Sequence, residues 1–279
     1  MAWYMRIQGI GRTAIWMALV VVFVIPLLRP MGLPLNITAA TTAAYNLIDS
    51  MPAGSIVFQS IGFNPAVDAE TWPQLVALSR HYMSKGLRVI YFPAMQEGGM
   101  YAERLRDMAP LYGYEYGSDF AILPFKAGGE STVAALRDFY SIMTADAYGT
   151  PLSSLALFGG FSGMQDVDLL VSVTGGEDPV HFVKYIEPAF HTPIIACGTA
   201  PILPVIGPYV AAKQIKATVI GLSGAAEYEA LANVPGTATG AMDAQAMGHL
   251  LIVALIVLSN LGYYFQRRNE RLAEVARNG

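Results

Sequence analysis

The residues of this 279-residue chain that could do chemistry follow short apolar runs. Several are glycines, which let the backbone approach a ligand closely, and the others are acids, amides and hydroxyls that would set the polarity of a crevice. Tight strand-to-helix turns use the same residue types for local reasons, so the pattern also fits a domain that binds nothing small. The candidate ligand-binding residues are Gly62, Asn64, Glu97, Gly128, Gly129, Gly175, Gly176, Glu177, Asp178, Gly198, Thr199 and Ser223.

Nucleotide and acid–base motifs are weak in this sequence. No G-x-G-x-x-G follows an apolar run, and no G-x-x-x-x-G-K-[ST] occurs. The carboxylates Glu97, Glu130, Glu177 and Asp178 could line one crevice and transfer protons. Carboxylates at helix starts more often act as caps and dipole partners. We therefore predict no cofactor and assign no catalytic carboxylate.

Nucleophilic and metal chemistry have equally little support. Cys197, the single cysteine, ends an apolar run and could be a nucleophile with His181 or His191, but a small buried hydrophobic residue is the simpler interpretation. No serine lies in a G-x-S-x-G frame. The four histidines lack the spacing of metal ligands, so we predict no metal site.

Six apolar runs alternate with helical patterns in the middle of the chain. Runs that are apolar at every position are typical of strands buried on both faces, as in parallel sheets. Right-handed crossovers would then give a doubly wound, mostly parallel, Rossmann-like α/β sheet with its site beyond the carboxyl ends of the strands. The predicted strands are 55–61, 87–92, 120–124, 169–173, 193–197 and 217–220, and the predicted helices are 70–84, 99–111, 130–145, 180–190 and 203–213.

Three other stretches have a distinct composition. Residues 146–165 are rich in Gly, Ser and Phe and predict an irregular insertion, either a flap or a partner contact. Residues 30–42 and 230–244 are predicted to be linkers at the two ends of the domain, and the second is rich in small residues.

An uncharged apolar stretch lies near each end of the chain. Crossing a hydrocarbon core about 30 Å thick takes roughly 20 helical residues. Residues 246–265 meet this requirement, and residues 14–28 meet it only when extended past Arg12 and Arg29, whose side chains can snorkel to the interface. No small-x-small cleavage site follows the first stretch, which favours an uncleaved anchor over a signal peptide.

Basic residues near the two stretches predict their orientation. The first tail carries Arg6 and Arg12 without an acid, and the last tail carries four arginines against two glutamates. Eleven basic and nineteen acidic residues lie between the stretches, a balance that does not suit nucleic acid. We predict a cell-membrane protein with both termini cytoplasmic, an anchor in residues 1–35, an extracytoplasmic domain over 36–240 and a second anchor with a basic tail in 241–279.

Two polar residues lie within the second apolar stretch. His249 and Asn260 are eleven residues apart, about three helical turns, and therefore share a face. Polar residues in a bilayer usually face protein. We predict that Asn260 contacts the first anchor or another subunit, and that His249, close to the outer boundary of the membrane, either does the same or lies at the interface with water.

Two anchors without a catalytic motif predict a non-catalytic interaction or scaffolding subunit of a membrane assembly. Loops rich in Gly, Phe and Tyr could dock copies of the chain, giving a homo-oligomer, or other membrane-protein subunits. A small-molecule-binding or sensory domain that uses the strand-end crevice is an alternative, and a membrane-anchored hydrolase or transferase is another. Fold alone does not decide among them, because doubly wound sheets carry out all three functions.

Overall fold

The computed structural model of the chain describes residues 11–234 and 236–278. The chain divides into two compact units: the smaller holds residues up to Pro34 and from Gly240 onward, and the larger holds Leu35–Thr239. Arg6, which entered the prediction of orientation, lies outside the described residues, as does the side chain of Arg277.

The larger unit is built on one sheet of six parallel strands. In chain order these are β1 Ile56–Gly62, β2 Arg88–Pro93, β3 Phe120–Ile122, β4 Leu169–Thr174, β5 Ile194–Gly198 and β6 Ile215–Ile220. Across the sheet their order is 3-2-1-4-5-6, so the order reverses between β1 and β4. The prediction of six strands in a parallel α/β sheet is confirmed.

Helices flank the sheet on both faces. In chain order the α-helices of the described residues are α1 Arg12–Leu28, α2 Ala39–Asp49, α3 Asp68–Lys85, α4 Gly98–Met108, α5 Glu130–Ala135, α6 Phe139–Ile142, α7 Asp178–Tyr185, α8 Glu187–Phe190, α9 Leu203–Ala211, α10 Gly221–Leu231 and α11 Thr237–Asn278. Their ends follow local rules: after α3, Gly86 has a φ of +69° and the Leu87 amide donates to Tyr82 O at 3.0 Å. The predicted helix over 130–145 is instead α5 and α6 separated by a 3₁₀ turn.

Alternate residues of the strands belong to two separate hydrophobic cores. Val57 and Val171 face the core formed with α2, α3, α4 and α10. Phe58 and Leu170 face the core formed with α5, α6, α7 and α9. Every residue of β1 is buried, which is why the strand is not polar at alternate positions.

Both stretches predicted to be linkers contain helix. Residues 39–42 begin α2, and residues 237–244 belong to α11. Buried carboxylates explain the two helix starts: Glu227 accepts hydrogen bonds from the Thr38 amide and hydroxyl at 3.0 and 2.7 Å, and Glu229 accepts them from the Ala238 and Thr239 amides at 3.1 and 2.8 Å. Both acids satisfy backbone amides at a helix start. Composition alone does not reveal this role, and so residues 30–42 and 230–244 were predicted to be linkers.

In the smaller unit α1 packs on the part of α11 that begins at Gly240. A Cβ atom at Gly248 would lie 2.7 Å from the Phe23 ring, and one at Gly240 would lie 3.2 Å from Pro26 O. Buried Ala244 stands between these glycines, so small residues at every fourth position let the two helices approach.

A single helix among the described residues is long and apolar enough to cross a membrane, over Thr237–Leu272. The first apolar helix, α1, has 17 residues, fewer than the roughly 20 that a span requires. In the segment of the smaller unit that follows α1, the amides of Met31, Gly32 and Leu33 donate hydrogen bonds to the Asp243 carboxylate at 2.6–2.9 Å.

Candidate functional site

The ends of β1 and β4 mark the place where an open parallel sheet usually binds a ligand, because the strand order reverses there. Gly62 ends β1 and lies opposite Thr174, the last residue of β4. The Thr174 hydroxyl oxygen is 2.8 Å from Gly62 O and 2.5 Å from Asp178 Oδ2, and it accepts a hydrogen bond from the Gly176 amide at 2.9 Å. We call Gly62, Thr174, Gly176 and Asp178 the switch-point cluster.

The number of protons in this cluster constrains its chemistry. The Thr174 hydroxyl has one proton, yet Gly62 O and Asp178 Oδ2 both lie within hydrogen-bond distance of it. Burial raises the pKa of the Asp178 carboxyl, against the opposing effects of the Thr174 hydrogen bond and the nearby His181. When Asp178 is protonated it donates to Thr174, and Thr174 donates to Gly62 O, so every proton has an acceptor. A carboxylic acid held in this way is a structural hydrogen-bond donor and a poor general base.

Protein groups fill the space next to three of the candidate glycines. A Cβ atom at Gly62 would overlap Asp178 Oδ2, and one at Gly198 would overlap Thr174 O. At Gly175 it would lie 3.1 Å from the Val67 side chain. These glycines are therefore required by contacts between neighbouring strands and loops, and the space that a ligand would need beside them is occupied.

The other candidate residues are dispersed along the strand-end edge. Asn64 Oδ1 accepts a hydrogen bond from the Ala66 amide at 3.0 Å, an Asx turn that shapes its own loop. Thr199 is buried, and Gly128 and Gly129 have φ values of +141° and +52° beside a surface pocket of about 410 Å³. Seven candidates are exposed: Glu97, Gly128, Gly129, Gly175, Gly176, Glu177 and Ser223.

Glu130 does not join the other carboxylates. It accepts hydrogen bonds from Lys184 Nζ at 2.5 Å and from the Tyr185 hydroxyl at 2.7 Å, and this contact ties α5 to α7. The Lys184 ammonium lowers the pKa of Glu130, with Tyr185 adding to the effect. Glu130 is thus an ionised surface partner, and the sequence-derived set of four acids does not form one site.

Cys197 is separated from the histidines that could have activated it. Its side chain is fully buried in the core that α3 and α10 cover, whereas His181 belongs to α7 on the opposite face of the sheet. Burial raises the pKa of the Cys197 thiol, which disfavours the reactive thiolate. His191 is an exposed residue with a φ of +55° after α8. Within the described residues no cluster of three His, Cys, Asp or Glu side chains could hold a metal ion.

Several buried polar groups gave no signal in the sequence. Gln74, in the middle of α3, donates from Nε2 to Gly198 O at 3.0 Å and to Gly221 O at 2.9 Å, which ties the ends of β5 and β6 together. Ser60 and Ser172 face each other across β1 and β4, and their buried hydroxyls have no hydrogen-bond partner in the part of the chain that the structure describes. The sequence does not show that these two serines lie opposite each other, because that depends on the register between β1 and β4.

His249 and Asn260 are both exposed along α11. The Asn260 amide donates to Ile256 O of its own helix at 2.8 Å. Their predicted contact with another helix stays a prediction, and within one chain their exposure leaves the face open to a second subunit.

No protein-family model matches the sequence, and no curated protein matches it. The function is therefore inferred from the geometry of the described residues.

Proposed function

We propose that the chain is a membrane-tethered, non-catalytic interaction or scaffolding subunit that presents a doubly wound, Rossmann-like domain. The observation that carries this proposal is the packing of the switch-point cluster. In ligand-binding sheets of this strand order, glycines at the reversal point leave room for a phosphate or substrate. Here Asp178 lies over Gly62, and Thr174 O lies against Gly198, so the domain closes this position with its own groups.

The groups that would perform catalysis support the same proposal. Asp178 is hydrogen-bonded to the Thr174 hydroxyl, Glu130 is paired with Lys184, and Cys197 is buried away from the histidines. Each of these residues has a structural partner that accounts for its position. None of them is left as an exposed, activated group in a crevice.

The proposed arrangement in the membrane uses both ends of the chain. We infer that α11 crosses the bilayer and that α1, about 26 Å long at 1.5 Å per residue, forms a second span with Arg12 and Arg29 at its boundaries. The arginines of the tails support a topology in which both termini are cytoplasmic and residues 36–240 lie outside.

Partners of two kinds fit the exposed surfaces. Met100 on α4 and Leu111 just after it are 49% and 83% exposed, although both are large apolar residues. The apolar side chains of α11 beyond Gly248 are exposed as well. We infer that the first surface meets another protein and that the second meets lipid and further copies of the helix.

Native mass spectrometry of the full-length protein, extracted from membranes in a mild detergent, tests the proposal. We expect an assembly of more than one chain without a bound small molecule. The variant Leu111→Asn should weaken that assembly, while Leu222→Asn, a control on α10, should leave it intact. A monomer that carries a stoichiometric small molecule would overturn the proposal and favour a binding domain.

A further inference from the structure

Charge is distributed unevenly over the larger unit. Residues 35–187 contain sixteen acidic and eight basic residues. Residues 188–226 contain no acidic residue, two lysines and one histidine. This acid-free stretch forms β5, α9, β6 and the start of α10, and β6 is the last strand of the sheet. One edge of an otherwise acidic domain is therefore neutral to basic.

Helix α9 on this edge is apolar on its outer surface. Ile206 packs in the core, but Leu203, Val205 and Val210 are 45%, 38% and 37% exposed. Its sequence, LPVIGPYVA, has no charged residue on any side. A helix on a water-facing surface normally has a polar outer face, so the exposed face of α9 suits a less polar medium.

Lysines lie at the end of this apolar helix. Lys213 and Lys216 follow α9 and are both exposed. Lys216 Nζ donates to Lys213 O at 2.7 Å, which keeps the two residues together just beyond the last turn of α9. Apolar side chains next to basic ones are the combination that binds the interface of an anionic bilayer.

The connectivity of the chain also favours a membrane as the partner of this surface. α10 follows β6 directly, and only residues 232–236 separate α10 from α11. A short connection to a membrane helix gives a nearby surface a high effective concentration of bilayer.

We propose that the exposed apolar side chains of α9, Leu203, Val205 and Val210, together with Lys213 and Lys216 beyond its end, dock on the surface of an anionic membrane. The apolar side chains enter the boundary between headgroups and acyl chains, and the lysines meet anionic headgroups. The acidic remainder of the domain is repelled by the same surface, so the contact orients the domain. This proposal rests on the membrane anchoring in the proposed function.

An environment-sensitive fluorophore at position 205 tests the docking. Val205→Cys is made in a Cys197→Ser background of the full-length chain, labelled, and reconstituted in vesicles of equal parts phosphatidylcholine and phosphatidylglycerol. We expect blue-shifted emission that a nitroxide-labelled lipid quenches. The matched control is Phe125→Cys in the same background, on an apolar residue after β3 that is 38% exposed, and it should give water-like emission without lipid quenching.

The lysines are tested in the same reconstituted system. Lys213→Gln and Lys216→Gln should each lower the ratio of docked to undocked domain roughly fivefold, which corresponds to about 1 kcal/mol per lysine. Lys126→Gln, at an exposed lysine outside the acid-free stretch, should leave the ratio unchanged. Vesicles of phosphatidylcholine alone should reduce docking by a similar factor to the lysine variants.

Three results would overturn the docking proposal: unquenched emission at position 205, quenching independent of the lysines and of phosphatidylglycerol, or a blue shift that depends on protein density without lipid quenching. The last result would indicate a contact with a second copy. Release of the full-length chain from membranes by alkaline carbonate would instead refute the anchoring, and it is scored separately before any fluorescence is measured.

Discussion

His81 Nδ1 lies 2.8 Å from the hydroxyl of Tyr228, which joins α3 to α10 inside the core. The Tyr45 ring stacks on the imidazole at 4.9 Å between centroids, and Asp49 Oδ1 lies 3.5 Å from Nε2. The histidine therefore connects three helices on one face of the sheet. Its protonation state should affect how firmly they pack.

The first prediction concerns acid sensitivity. Burial lowers the pKa of His81 in the folded chain below its ordinary value of 6.5, although Asp49 opposes the shift. The unfolded chain then binds more protons, so the free energy of unfolding should fall as the pH drops below about 6.5. We expect His81→Gln, which keeps a hydrogen-bonding side chain, to flatten this decline. Thermal unfolding followed by intrinsic fluorescence between about pH 7 and pH 5 measures it, and equal slopes in both proteins would refute the assignment.

The second prediction separates the two side chains of the switch-point cluster. Asp178→Asn keeps a donor toward Thr174, so it should change the free energy of unfolding by less than about 1 kcal/mol at neutral pH. Thr174→Val leaves Gly62 O and the Gly176 amide without their partner and should cost about 1–3 kcal/mol. Denaturant unfolding in detergent compares the two variants.

The pH dependence of this cluster has the opposite sign from that of His81. The pKa of Asp178 is raised in the folded chain, so its contribution to stability is present below its unfolded pKa of 3.8 and is lost as the pH rises through the folded value. Asp178→Asn should remove that loss. A variant that is much less stable than the parent at neutral pH would show that Asp178 acts as an ionised acceptor.

The third prediction concerns the contact between α1 and α11. Gly248→Ala places a methyl group 2.7 Å from the Phe23 ring and should destabilise the helix pair by about 1–3 kcal/mol. Phe23→Ala in the same chain should restore much of the loss, because it removes the overlapping ring. Cross-linking of cysteines placed on the two helices reports the pairing, and an unaffected single variant would contradict the packing.

The fourth prediction concerns association through α11. Asn260 is exposed and uses one amide hydrogen for Ile256 O, so its remaining polar atoms are available to a second chain. Asn260→Leu should weaken self-association by roughly 0.6–2 kcal/mol. Energy transfer between labelled chains in vesicles measures this change. Ser259→Leu, on a neighbouring face, is the control, and equal effects of both variants would show that the amide has no specific role.

The sheet could be predicted because most positions of its strands are apolar without a polar residue at every second position, a pattern that is visible in the sequence before the pairing of the strands is known. α10 was not predicted, because residues 221–231 are rich in Gly and Ala and lack a clear apolar stripe. The overlap of Gly62 with Asp178 depends on the pairing of Gly62 with Thr174, 112 residues apart. Sequence reasoning therefore identified residues at the strand ends. It could not show that the Asp178 side chain occupies the space next to Gly62.

The hydrogen bonds of Asp243 have a consequence for the order in which the protein is made. The carboxylate and the Met31 amide are separated by 212 positions. At 5–20 residues per second, the ribosome needs roughly 10–40 s to travel between them. During that interval the amides of Met31, Gly32 and Leu33 have no Asp243 carboxylate to bind, and the ribosome synthesises the larger unit, Leu35–Thr239. The smaller unit is therefore completed last, although its first helix is synthesised first.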